Sequence, residues 1–208
     1  QQIMEPILLH EHDTSKSEAK ERAMKLLEQV GIAKNRFYNY PHEFSGGMRQ
    51  RAMIAMSLAC RPELVIVDEP VTALDVMIQA QIMELIKDLS KQYELSMIMI
   101  SHDLSVLAEL CDQIAIMYAG KVVEYGDAKT VFRNPKHPYT IRLMNSFPDI
   151  HGERTFVHGI PGYPPSLLHP PKGCSFYDRC TVRKEECKEH DMKIVKAGEN
   201  HFSACPWV

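Results

Sequence analysis

LVIVDEP, Leu64 to Pro70, decides the fold. Four apolar residues, three of them β-branched, run into two carboxylates and a proline. A short apolar run of this kind predicts a strand buried in a parallel sheet. In such sheets the functional loops follow the C-terminal ends of the strands. Two adjacent acids there suit a site beside Mg²⁺ and an attacked phosphate. A nucleotide hydrolase of that kind also needs a phosphate cradle, G-x-x-x-x-G-K-[ST]. None precedes Leu64. The nearest string, AIMYAGKV from Ala115 to Val122, lacks the first Gly and the closing Ser or Thr.

On the C-terminal side, Asp75 to Tyr93 predicts a helix, with Ile78, Ile82, Leu85, Ile86 and Leu89 at helical spacing. Ser96 to Ile100 predicts a second buried strand, ending in Ser101-His102-Asp103 before a helix from Leu104 to Leu110. Gln113 to Tyr118 and Lys121 to Tyr125 predict a hairpin around Ala119-Gly120. Strand, helix, strand, helix, hairpin predicts an α/β sheet. On the N-terminal side, FSGGMRQR (Phe44 to Arg51) opens a helix to about Cys60, its apolar side being Met48, Ala52, Ala55, Met56 and Ala59. Further back, Glu18 to Val30 predicts an amphipathic helix with Ser17 as N-cap and Gly31 as stop. After about Lys129, Pro and His become frequent and periodicity fades. The tail reads as loop-rich, with one short helix around Thr140 to Asn145.

Bulk composition narrows the classes. The chain has 208 residues, 45% hydrophobic and 25% charged, with net charge -3. That balance is ordinary for a globular protein and gives no basic excess for nucleic acid. Apolar runs such as Met97 to Ile100 are too short to span a bilayer. The start, QQIMEPILLH, has no basic region, no cleavage site and no initiator Met. The expectation is a cytosolic chain with reduced thiols that begins inside a longer protein.

Ser45-Gly46-Gly47 at a helix start offers phosphate free N–H groups and close backbone approach. An ordinary capped helix is the simpler reading. The nearby Arg49-Gln50-Arg51 and LVIVDEP favour the anion site. Asp68 is expected to hold the Mg²⁺ shell through water, and Glu69 to act as general base on the attacking water. His102, past the second strand, is a capping or core residue or a γ-phosphate contact. Asp75 is an adequate N-cap.

Of six cysteines, Cys60 and Cys111 are expected to be buried structural thiols. Cys174, Cys180, Cys187 and Cys205 form C-x5-C-x6-C-x17-C. In a small loop-rich unit four thiolates suit an iron–sulfur cluster or Zn²⁺, or remain free thiols or disulfides. Zinc sites usually show closer pairs.

FSGGMRQR, LVIVDEP, Thr72-Ala73-Leu74-Asp75 and Ser101-His102-Asp103, in this order and spacing, closely resemble the ATP-binding subunits of ABC transporters, from Glu18 to about Gly126. The resemblance implies a partial P-loop NTPase α/β fold of the ABC type with a helical subdomain. Residues 1–62 would be that subdomain with the signature, and 63–128 the core. It makes Ser45, Gly46 and Gly47 the signature, Asp68 and Glu69 the Walker B pair, Asp75 the D-loop acid and His102 the switch histidine. Phe44 and Met48 depart from the usual Leu and Gln and leave Ser-Gly-Gly intact. NPKHPYTIRLMNSFP and GIPGYPPSLLHPPKGCSFYDRC resemble the C-terminal region of oligopeptide, dipeptide or nickel importer ATPases. That makes 129–208 a loop-rich, cysteine-containing extension and implies a [4Fe–4S] cluster.

The reading that follows is an ATPase subunit of a di- or oligopeptide importer, using ATP and Mg²⁺ at the cytoplasmic face of the membrane. Its partners would be a second ABC ATPase subunit, transmembrane permease subunits and, indirectly, an extracellular substrate-binding protein. With no cradle, about the first third of the subunit is expected to be absent and the fragment inactive alone. Two readings stay open: a truncated regulatory or scaffold module supplying only a signature face, and a nickel importer ATPase.

Overall fold

Ser15 begins the first long helix. Its hydroxyl accepts the Glu18 N–H at 3.2 Å, and the Glu18 carboxylate accepts the Ser15 N–H, a reciprocal capping box. The cap is therefore Ser15 rather than Ser17. A Glu three residues on completes the box at Ser15, whereas Ser17 has Lys20 there. The computed structural model describes residues 1–146, 159–189 and 192–207. Phe147 and Pro148, the end of the importer-like string, lie outside them.

The chain forms two compact units, Gln1–Val106 and Leu107–Val208. The first contains α1 (Met4–His10), α2 (Lys16–Gln29), α3 (Gly46–Ser57), β1 (Leu64–Asp68), α4 (Val76–Tyr93) and β2 (Ser96–Ile100). Helix α5 (Leu104–Leu110) crosses into the second. Helix α2 stops at Gly31 (φ +77), where the Ile32 N–H reaches back to the Leu27 carbonyl. Its buried face, with Leu26, Leu27 and Val30, packs with Ile7, Phe44, Ala55, Leu58 and Leu89 into the core of this unit.

Strands β1 and β2 are parallel, Leu64 opposite Ser96 and Asp68 opposite Ile100, with α4 as the crossover. They are not the buried strands expected. Both alternate exposed and half-buried residues, and Leu64, Ile66, Ile98 and Ile100 are each at least half exposed. One face, with Val65, Val67, Met97 and Met99, is half-buried, Val65 packing against the helical core, where uniform apolarity predicts burial on both faces.

In the second unit β3 (Gln113–Tyr118) and β4 (Lys121–Asp127) form the expected hairpin. Ala119 and Gly120 both have positive φ, as a two-residue turn matching strand twist requires. The hairpin does not join β1 and β2 in one sheet. It pairs with two tail strands, β5 (Val195–Gly198) and β6 (His201–Ser203), in the order β3-β4-β6-β5. Helices α6 (Ala128–Arg133) and α7 (Pro138–Asn145) lead into the tail, which is thus more regular than its composition suggests.

A bulge lies between Ile116/Glu124 and Met117/Val122, leaving Val123 as the extra residue. Val123 and Glu124 are consequently both buried. Glu124 is fully enclosed. Its carboxylate accepts the N–H groups of Lys136 (2.7 Å) and His137 (2.8 Å) and contacts His201 Nε2 at 2.6 Å. One side chain thereby ties β4, the Asn134–His137 turn and β6 together. Burial lowers the His137 pKa to about 4, so that ring is neutral at pH 7.

Candidate functional site

Asp68 ends β1 and is exposed, and among the described residues its carboxylate has no hydrogen-bond partner. Glu69 follows in the left-handed region, φ +47, its N–H bonded to the Ile100 carbonyl at 2.9 Å. A non-glycine residue there costs of order 1 kcal/mol or more and persists where surroundings hold it. Here they do: the carboxylate accepts from the His102 N–H (3.1 Å) and the Thr72 hydroxyl (2.9 Å) and meets His102 Nδ1 at 2.8 Å. The turned backbone aims Glu69 across the sheet end at the loop after β2. Sequence reasoning placed both Glu69 and His102 at strand ends, and the structure brings them into contact.

The pair shifts both groups. The His102 hydrogen bond, foremost, holds the Glu69 carboxyl below its ordinary range, and the same bond raises the His102 imidazole. Glu69 is thus ionised at neutral pH, and its second oxygen is steadied by Thr72. The exposed imidazole leaves its other ring nitrogen toward solvent. This arrangement orients a base and places a proton-bearing ring beside it. Thr72 was not singled out from sequence, although its place three residues after Glu69 in a tight turn is the available signal.

The signature stretch is built separately. Ser45 is the N-cap of α3, its hydroxyl accepting the Met48 N–H at 3.3 Å. The N–H groups of Gly46 and Gly47 open the helix and have no carbonyl within it. The arginines on the next turn do not add to an anion site. Arg49 donates to the Phe44 carbonyl (2.8 Å), and Arg51 to the Val30 carbonyl (2.9 Å) and Gln81. Asp75 caps α4, accepting the Ile78 N–H at 3.0 Å.

In the second unit Cys174, Cys180, Cys187 and Cys205 line one cavity, together with His137, Phe176 and Trp207. The Cys174 N–H bonds the Cys187 carbonyl at 2.8 Å, and all six cysteines of the chain are free thiols. Burial pushes the Cys174, Cys180 and Cys205 thiols up. Among the described residues no three His, Cys, Asp or Glu side chains are grouped closely enough to hold one metal ion. Cys60 is exposed and Cys111 half-buried, against the expectation of two buried thiols. Cys60 follows the last turn of α3 and turns away from the core that Leu58 and Ala59 enter.

The fold is, in part, that of ABC-type ATP-binding domains. CbiO1 of Clostridium perfringens, described as part of an ABC transporter complex, superposes with TM-score 0.56 at 27% identity, over 64% of this chain and 51% of that one. An inward-facing metal-chelate type ABC transporter superposes with TM-score 0.59 at 19% identity, over 69% and 55%, a likeness of fold alone. Residues 2–72 match the ABC transporter family, and residues 123–187 match the oligopeptide/dipeptide transporter C-terminal region. The oligopeptide transport ATP-binding protein OppD of Haemophilus influenzae is 50% identical over 90% of this chain and 58% of its own length. OppD of Escherichia coli is 51% identical over 90% and 56%, and a probable peptide ABC transporter ATP-binding protein of Sinorhizobium fredii 48% over 98% and 62%. The chain is thus similar to ABC transporter ATP-binding proteins over residues 2–72 and to the oligopeptide/dipeptide transporter C-terminal region over residues 123–187. It spans little more than half the length of the OppD relatives it matches.

Proposed function

We propose that this chain supplies the Walker B, D-loop, switch and signature parts of an ATP-hydrolysing subunit that drives import of di- or oligopeptides. The observation that carries this is the Glu69 carboxylate, ionised and gripped by His102 and Thr72 beside the exposed Asp68. Glu69 takes a proton from water as its oxygen attacks the γ-phosphorus. The bond to the β,γ-bridging oxygen breaks, and ADP leaves. His102 holds Glu69 in place and offers its free ring nitrogen to the γ-phosphate. Asp68 would hold Mg²⁺ through water, and the ion would supply positive charge to offset that on the phosphates.

Ser45, Gly46 and Gly47 face a nucleotide held by a second ATPase subunit, identical or paralogous. Permease subunits and, through them, an extracellular binding protein complete the assembly at the cytoplasmic face of the membrane. Two facts support peripheral attachment: no helix among the described residues is long and apolar enough to span a bilayer, and the relatives are ATP-binding components. The peptide substrate is taken from the relatives' names and the C-terminal match.

Cys174, Cys180, Cys187 and Cys205 are the proposed ligands of one [4Fe–4S] cluster. What supports this reading is the donor set, four free thiols lining one cavity. The cavity itself is only about 20 Å³, so the donor set rather than the void makes the case. A bound cluster supplies positive charge that stabilises buried thiolates and cross-links the tail. The test of the catalytic reading is Glu69→Gln in the full-length subunit. Turnover should fall about 10²- to 10⁴-fold with ATP binding kept. Near-normal turnover would remove Glu69 as the base.

A further inference from the structure

The glycines of the signature stretch lie against the D-loop helix. A Cβ at Gly47 would lie 2.7 Å from Ile78 Cγ2, closer than side chains tolerate. A Cβ at Gly46 would lie 3.4 Å from Leu74 Cδ2. Leu74 and Ile78 flank Asp75. The Ile78 N–H is the donor that Asp75 accepts at 3.0 Å, and the Asp75 carbonyl accepts the Gln79 N–H at 2.9 Å. One residue thus touches both elements: the backbone of Ile78 binds the D-loop acid, and its side chain fills the space that Gly47 leaves open.

We infer that Ile78 is a positioning residue that sets the attitude of the signature turn from the D-loop, with Leu74 as its neighbour on Gly46. This rests on the ATPase reading above and adds to it a second reason for glycine at position 47. Absence of a side chain lets the N-terminus of α3 sit against the first turn of α4. Although both residues are only half-buried, a 2.7 Å approach leaves no room for a methyl group unless Ile78 shifts. A shift of Asp75 therefore moves Ile78, and a shift of Ile78 moves Gly47. The partner-facing end of α3 and the acid that starts α4 move together.

The test is a set of four variants: Gly47→Ala, Ile78→Ala, Gly47→Ala with Ile78→Ala, and Gly47→Ala with Ile78→Val. Valine keeps the Cγ2 that causes the clash, and alanine removes it. In this 208-residue chain, Gly47→Ala should lower the melting temperature. Ile78→Ala should restore most of that loss in the double variant, and Ile78→Val should not. In the full-length subunit, Gly47→Ala should depress kcat for ATP with Ile78 intact. The Gly47→Ala/Ile78→Ala double should regain at least tenfold, and the valine double should stay low. A double variant that recovers its melting temperature and remains as inactive as Gly47→Ala would overturn the inference, because Gly47 would then serve the nucleotide directly. An unchanged melting temperature in Gly47→Ala would overturn it by removing the contact. A wild-type full-length subunit without ATPase activity would instead defeat the catalytic reading, and the stability arm would still decide the contact.

Discussion

Glu69 and His102 titrate as partners, and the sign of each shift follows from the other. Glu69, lowered, contributes stability above its ordinary value of 4.5, lost as pH falls through its folded value. His102, raised, contributes below its ordinary 6.5, and this is lost as pH rises through its folded value. The pair is fully formed between those two ordinary values. In proton NMR of the His102 ring, the wild-type midpoint should lie above 6.5, and Glu69→Gln should bring it back toward 6.5. An unmoved midpoint would mean the 2.8 Å contact does not form in solution. Thr72→Val should leave the His102 contact in place and raise the Glu69 midpoint. At this scale the sequence was informative about residue types. Two acids after an apolar run, and a His after the next, were legible because each sits at a strand end. The Glu69–His102 contact and the left-handed turn were not, since both depend on a register that only pairing of β1 with β2 defines.

Asp75 and Glu124 show how single side chains hold elements. Among the described residues Asp75 is the only side chain satisfying the first turn of α4, so Asp75→Ala should cost about 1 kcal/mol in urea unfolding, with Asp75→Asn within a few tenths. A loss below measurement would mean another group caps α4. Glu124 is buried with three donors, and removing it leaves them without a partner. Glu124→Ala should destabilise its unit by about 3 kcal/mol or more. The sole Trp, Trp207, lies in that unit and reports its unfolding by fluorescence. A midpoint equal to wild type would contradict the tie. Helix α4, strand β2 and helix α5 follow their sequence patterns closely, because long periodic or sharply bounded runs leave little choice. Strands β5 and β6 did not show, being four and three residues long, with β6 paired to a hairpin some seventy residues earlier and β5 paired to β6. Glu124 did not show as buried either, since the bulge at Val123 breaks the alternation by which its side would be read.

At the scale of the whole molecule the two units pose separate tests. No G-x-x-x-x-G-K-[ST] occurs in the 208 residues, and we propose on that ground that this chain alone does not grip the β- and γ-phosphates. Purified alone, it should show no Mg-ATP turnover that Glu69→Gln abolishes. Such turnover would mean that phosphate is gripped another way. In the second unit, protein purified without oxygen should be brown, with about four irons and four sulfides per chain. Cys180→Ser should bleach it and open residues near Cys187 to protease. One zinc in a colourless chain would favour the zinc reading, and disulfides would refute both. The resemblance was legible because its motifs are short, ordered strings. The lack of a close three-ligand group among the described residues, and the exposure of Cys60, were not, as spacing along the chain does not give distance across it. The most direct measurement of the central claim is uptake of a labelled tripeptide by cells that depend on the full-length subunit, compared between wild type and Glu69→Gln at equal protein levels. The account predicts ATP-driven uptake in the first and its loss in the second. Undiminished peptide uptake with Glu69→Gln, or nickel uptake in place of peptide uptake, would contradict it.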